Sequence, residues 1–164
     1  MRTLMNVLLL LIFLVMIFYC SPRPAPAGPP PSAPERPDTI VTAAGDRNGV
    51  PGWVMRAIWN VECSQLEIGQ GPCRNLRTGE RGAFQMRQAA AEFSAVGCNW
   101  LILGTRGALF YEADCAAKLL AHHFLTCRMD WDRAIAAYNL GHCPPRGKLT
   151  AYAKRALAMR EAQP

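Results

Sequence analysis

Apolar residues follow two different patterns in this chain, one at the N-terminus and one in the remainder. An uninterrupted apolar run from Val7 to Tyr19 follows the basic residue Arg2. A membrane span needs about 20 apolar residues, so the run is short for one, and its basic start is typical of a secretory signal. We therefore expect residues 1–20 to direct export, as a signal peptide or as a membrane anchor.

Three fates remain open for this segment. Ala25 and Ala27, ahead of Gly28, fit the small residues that signal cleavage requires, so the chain can be cut after residue 27. Cys20 is a lipidation candidate, although the large Tyr19 directly before it is unfavourable. The third fate is retention as an anchor in the inner membrane. All three place the remaining residues outside the cytosol, in the periplasm or the cell envelope.

Helical spacing of apolar residues begins only after a linker. Residues 21–37 are dense in Pro and Ala, a composition that favours extended polyproline II and predicts a spacer. In the folded domain, 38–164, Val54, Ile58 and Val61 recur at i, i+4 and i+7 and predict a helix that begins near Pro51. Further helices are predicted at about 85–95, 112–126, 131–141 and 149–161. The fold class is thus mostly α, a single domain of five or six short helices.

Cysteine usage supports an oxidising location for this domain. With Cys20 set aside the number is even, and an exported domain with six cysteines predicts three disulfides. Sequential pairing gives Cys63–Cys73, Cys98–Cys115 and Cys127–Cys143. No C-x2-C spacing occurs, and His122, His123 and His142 form no ligand pattern, so we expect neither a metal nor a cofactor.

The charge of the domain indicates the kind of partner it suits. From Asp38 onward there are 15 Lys and Arg against 11 Asp and Glu, a balance of +4. A modest positive charge suits an anionic partner such as the peptide carboxylates of a cell wall. Nucleic acid is not expected, because no basic run with interleaved aromatic residues occurs.

Four ordered segments of the domain carry a family resemblance. They are Val50–Glu62, Gly82–Met86, Ala136–Gly141 and Tyr152–Leu157. In this order they resemble the catalytic helix, the Gly-Leu-Met-Gln block, the Ala-Tyr-Asn-x-Gly block and the closing helix of the lytic transglycosylase family, which has the fold of goose-type lysozyme. Together the segments span nearly the whole domain.

The resemblance implies a catalyst and a substrate. Glu62 would act as acid and base on the MurNAc–GlcNAc β-1,4 bond of peptidoglycan, leaving a 1,6-anhydro-MurNAc end, and Gln85, Tyr138 and Asn139 would bind the glycan strand. The residues support this, since Glu62 follows Ile58 by four positions and lies at the edge of an apolar helix face. Partial burial there raises the pKa of a carboxyl, as a general acid requires.

One departure from the family pattern and one additional carboxylate keep other interpretations open. Cys63 stands where the family usually has a serine, which leaves the orientation of Glu62 in question. Glu80 is a candidate second carboxylate, which a hydrolytic lysozyme would use on the same bond. The sequence also fits a peptidoglycan-binding module without catalysis, or a small disulfide scaffold whose motifs are accidental. The short build suits a local cutter that serves an envelope-spanning assembly, by family analogy alone.

Overall fold

The described part of the chain is mostly helical, as predicted. The computed structural model describes residues 36–63, 74–75 and 79–161. Its six helices are α1 (Pro37–Arg47), α2 (Gly52–Cys63), α3 (Gln88–Ala91), α4 (Leu109–Thr126), α5 (Trp131–Leu140) and α6 (Ala151–Glu161). Two short antiparallel strands, β1 (Arg74–Asn75) and β2 (Glu80–Arg81), pair Arg74 with Arg81 and Asn75 with Glu80.

Several predictions fall on other parts of the chain. The export segment 1–20, its cleavage and lipidation sites, nearly all of the linker 21–37 and Cys73 lie outside the described residues. Within the described ranges, no helix combines the length and the apolar character needed to cross a bilayer.

Helix α2 confirms the helix predicted from the apolar spacing near Pro51. Its residues Val54, Met55, Ala57 and Ile58 are completely buried and form the centre of the core. This face packs between α1 and α6. The sequence of apolar residues therefore fixes the rotation of α2 and, with it, the direction of its last turn.

Helix α1 was not predicted from the sequence pattern. It begins with Pro37 at its N-terminus and packs on α2 and α4 through Val41, Ala44 and Gly45. A side chain at Gly45 could not fit, because an added Cβ would lie 2.6 Å from the backbone oxygen of Val50. Small residues thus allow close approach of the two segments, but they give almost no hydrophobic periodicity to detect.

The helix predicted over residues 85–95 is wrong in extent, since only Gln88–Ala91 is helical. Gln85 instead has a left-handed φ of 46°. Arg81 and Met86 exchange two backbone hydrogen bonds of 3.0 Å, so residues 82–85 form the loop of a small hairpin.

The C-terminal half agrees closely with the sequence pattern. Asp130 caps α5 by accepting a hydrogen bond from the Arg133 backbone N–H at 3.1 Å, and Gly141 ends the helix with a φ of 77°. Disulfides join Cys98 to Cys115 and Cys127 to Cys143, as predicted. Cys63 is also disulfide-bonded. Its pairing with Cys73 stays a prediction, because Cys73 lies outside the described residues.

Candidate active site

A cleft of about 130 Å³ opens where several elements end. Its walls come from the last turn of α2, the hairpin around β2, helix α3, one residue of α4 and the C-terminal end of α5. All five residues that the sequence singled out for the site line this cleft: Glu62, Glu80, Gln85, Tyr138 and Asn139. Residues up to 77 positions apart in the chain, from Glu62 to Asn139, are thereby brought together.

Glu62 combines an acidic side chain with a sheltered position. It is the penultimate residue of α2 and is partly buried. The pKa of Glu62 is raised to about 7, with burial as the largest cause and the negative charge of Glu80 as a further one. A hydrogen bond from Tyr152 and the charge of Arg155 oppose this shift. Near neutral pH the carboxyl can therefore both give and take a proton, as acid–base catalysis requires.

Tyr152, in the first turn of α6, supports Glu62 directly. Its hydroxyl donates a hydrogen bond of 2.6 Å to Glu62 Oε1, and the phenol is 7% exposed. Burial and the neighbouring Glu62 charge raise the pKa of Tyr152 far above its ordinary value, so the hydroxyl stays a donor. The sequence alone indicated no separate role for Tyr152. The only indication in the sequence was its position in the segment that resembles the family's closing helix. Its hydroxyl gives Glu62 a hydrogen bond that Cys63 does not provide.

Removal of this phenol hydroxyl should change the pH dependence of any reaction that uses Glu62. The hydrogen bond lowers the pKa of Glu62, so in Tyr152→Phe that pKa should rise above about 7. We expect the high-pH limb of activity to move to higher pH. The rate should also fall by about tenfold, because a hydrogen bond to a charged group is lost.

The pH profile of the activity at this cleft, taken between about pH 5 and pH 9, measures both effects. Tyr111→Phe is the matched control, because the Tyr111 hydroxyl accepts from the Asn99 backbone N–H and lies away from the cleft lining. An unshifted profile in Tyr152→Phe would show that this hydrogen bond does not tune Glu62.

The hairpin around β2 forms one wall of the cleft, and its loop, residues 82–85, contributes Gln85 to the lining. Gln85 Nε2 donates to the Gly82 backbone oxygen at 2.8 Å. The Tyr138 hydroxyl donates to the Phe84 backbone oxygen at 2.8 Å. The family resemblance implied that Tyr138 binds the glycan strand; in the structure its hydroxyl proton is donated to the loop. Gln85 keeps an unfavourable left-handed backbone there, a form of strain that collects at functional sites.

Glu80 and Asn139 complete the polar lining. Glu80 lies on β2 and forms an ion pair with Arg87, with 3.0 Å between Oε1 and Nε. Two carboxyl groups, Glu62 and Glu80, therefore share one cleft, and Arg87 partly offsets the charge of one of them. Asn139 is exposed near the C-terminal end of α5, at the rim of the cleft.

Comparison of the chain with protein-family models, curated proteins and solved structures gives no match. The chemistry of the cleft must therefore be inferred from its own residues. An acid that is protonated near neutral pH, beside a second carboxylate and amide side chains, suits proton transfer to the oxygen of a glycosidic bond.

Proposed function

We propose that this protein is a peptidoglycan lytic transglycosylase with a lysozyme-like domain. One observation carries the proposal, namely the sheltered Glu62 carboxyl, which has a pKa of about 7 and lies at a cleft lined by polar side chains. The four motif segments supply the substrate class. Three of them meet around this cleft, and the fourth provides Tyr152.

The proposed reaction needs one acid–base group and no water. Glu62 protonates the glycosidic oxygen as the bond to the anomeric carbon breaks, which leaves an oxocarbenium-like centre. The resulting carboxylate, held by the Tyr152 hydroxyl, then removes the proton from the C6 hydroxyl of the same MurNAc. The C6 oxygen bonds to the anomeric carbon and closes the 1,6-anhydro ring. Glu62 ends protonated and ready for another cycle.

The remaining site residues would bind and orient the glycan. The Gln85 and Asn139 amides offer donors and acceptors to N-acetyl and hydroxyl groups. Tyr138 would act mainly by holding the loop through Phe84. The positive balance of the domain suits the acidic stem peptides of peptidoglycan.

The proposed location is the periplasm or cell envelope. The disulfides Cys98–Cys115 and Cys127–Cys143 are compatible with an oxidising compartment. We also propose that residues 1–20 attach the protein to the inner membrane. The protein would act together with an assembly that spans the envelope.

Mass spectrometry of the fragments released from purified peptidoglycan tests the reaction. We expect muropeptides that end in 1,6-anhydro-MurNAc, because the substrate supplies its own nucleophile. Fragments with reducing ends would instead show attack by water. Failure to release any fragment, with binding to peptidoglycan retained, would identify a binding module without catalysis.

Hydrolysis of the same bond is the second candidate, and the position of Glu80 favours it. Hydrolytic enzymes use a second carboxylate in the cleft, and Glu80 lines the cleft that holds Glu62. Its ion pair with Arg87, however, favours a structural or electrostatic role over that of a base.

Replacement of Glu80 separates the two candidates. In a transglycosylase, Glu80→Gln should retain most activity and the anhydro product. Loss of the Glu80 charge should lower the pKa of Glu62, so the high-pH limb of activity should move to lower pH. Hydrolysis with Glu80 as base predicts a loss of about a hundredfold or more. Fragment release and its pH profile measure both effects, and Glu92→Gln, at an exposed carboxyl outside the cleft lining, is the control.

A further inference from the structure

A buried carboxyl, Glu112, lies behind the hairpin loop 82–85. Glu112, in the first turn of α4, is 5% exposed. Its Oε2 accepts a hydrogen bond from the Ala83 backbone N–H, and its Oε1 accepts one from the Gly104 backbone N–H, both at 2.6 Å. One side chain therefore joins α4 to the hairpin loop 82–85 and to the turn at Gly104.

Gly82 leaves space in the loop for the Glu112 carboxyl. Gly82 has a φ of 78°, which favours glycine. A Cβ at Gly82 would lie 2.6 Å from Glu112 Cδ and 2.8 Å from both carboxyl oxygens. The carboxyl thus packs directly against the glycine Cα, and any other residue at Gly82 would displace either the loop or Glu112.

The two central residues of the loop have different anchors. Glu112 holds Ala83 from behind, while the Tyr138 hydroxyl holds the next residue, Phe84, through its backbone oxygen. Phe84 is itself 1% exposed in the core. Gln85 follows directly, with its left-handed backbone and its side chain at the cleft. A strained residue persists only where its surroundings determine its position, and these anchors provide that constraint.

We propose that Glu112 is a positioning residue, which acts on the substrate only through the loop 82–85 and sets the placement of Gln85 in the cleft. The inference rests on the proposed glycan-cutting function. It explains why a carboxyl is buried in α4, since buried charged groups are costly unless they are hydrogen-bonded. Sequence analysis treated Glu112 only as the start of a helix.

A double-mutant cycle tests this role. Glu112→Gln turns one acceptor oxygen into a donor that faces a backbone N–H, so the loop must move. We expect kcat/KM on uncrosslinked peptidoglycan strands to fall by about tenfold or more. If Glu112 acts through Gln85, the double variant with Gln85→Ala should lose little more than the worse single variant. Glu92→Gln, which removes an exposed carboxyl, should retain full activity.

The pH profile and amide exchange distinguish positioning from general loosening of the fold. The high-pH limb that reports Glu62 should not move in Glu112→Gln, although the rate falls. In the unaltered protein, the Ala83 and Gly104 amides should exchange with deuterium much more slowly than that of the exposed Arg106. This measurement needs no variant, so it remains decisive if Glu112→Gln does not fold.

Additive losses in the cycle, or rapid exchange at Ala83, would overturn the role of Glu112 and leave the proposed function intact. An unaltered protein that releases no glycan fragments would overturn the proposed function and, with it, the catalytic purpose assigned to Glu112.

Discussion

Glu62→Gln should reduce the release of glycan fragments by about a hundredfold to ten-thousandfold, the range that a general acid contributes. The amide has nearly the same shape and can still accept a hydrogen bond from Tyr152, but it cannot give a proton to the leaving oxygen. Binding to peptidoglycan should survive, because the rest of the cleft is unchanged. Fragment release that matches the unaltered protein would remove Glu62 from the mechanism.

The same substitution should raise stability near neutral pH. The pKa of Glu62 is raised from 4.5 to about 7, mainly by burial, so between these pH values the carboxyl ionises in the unfolded chain but stays largely neutral in the folded one. Below about pH 4.5 the group is neutral in both states and carries no penalty; the penalty grows up to about pH 7 and then stays constant. Glutamine has no such penalty, and the gain in the free energy of unfolding above pH 7 should approach about 2–3 kcal/mol.

Urea unfolding at about pH 4 and about pH 8 measures this effect. The difference in unfolding free energy between the two proteins should be small at the lower pH and larger at the higher pH. The control Glu92→Gln, at an exposed carboxyl, should show no such pH-dependent gain. Equal differences at both pH values would mean that Glu62 is not held in its neutral form by burial.

Removal of the Cys98–Cys115 disulfide should lower the free energy of unfolding by about 3 kcal/mol. The two cysteines are 17 positions apart and at most 4% exposed. A cross-link of about this span restricts the unfolded chain by roughly that amount. The chain segment between these two cysteines also contains Gly104, whose backbone N–H donates a hydrogen bond to Glu112. We therefore expect Cys98→Ala with Cys115→Ala to reduce activity as well as stability.

The disulfide between Cys127 and Cys143 is a matched control. These cysteines are 16 positions apart, so their removal should lower the free energy of unfolding by a similar amount. Their segment contains Tyr138 and Asn139 of the cleft, so this variant is a control for stability and not for activity. Thermal melts should show similar stability losses for the two disulfides. An unchanged melting temperature in Cys98→Ala with Cys115→Ala would show that this cross-link does not stabilise the fold.

The parts of the fold that sequence patterns predict are those with local causes. The burial of Val54 and Ile58 follows from spacing on one helix, and it places Glu62 at the edge of that face. The limits of α5 follow from Asp130 and Gly141, whose effects reach only a few residues. The grouping of Glu62 with residues of the hairpin loop and of α5 was accessible only through their motifs, because no local rule brings such distant residues together.

The missed features depend on contacts between distant segments. Glu112 meets the Ala83 N–H 29 positions earlier, and nothing in a helix pattern reveals a buried acceptor. The loop 82–85 is closed by the pairing of Arg81 with Met86, which overrides the helical tendency of the following Gln and Ala residues. In α1, small side chains make the contacts with α2 and α4. They leave only a weak hydrophobic periodicity in the sequence.

The hydrogen bond from Tyr152 to Glu62 joins side chains that are 90 positions apart in the chain. During synthesis, Glu62 therefore leaves the ribosome well before Tyr152, whose hydroxyl binds its carboxyl. Chains that end before residue 152 lack this hydroxyl, and under the proposed function they should not cut glycan. The synthesis of α6 would then be the last step in completing the site, so an unfinished chain could not act on the wall.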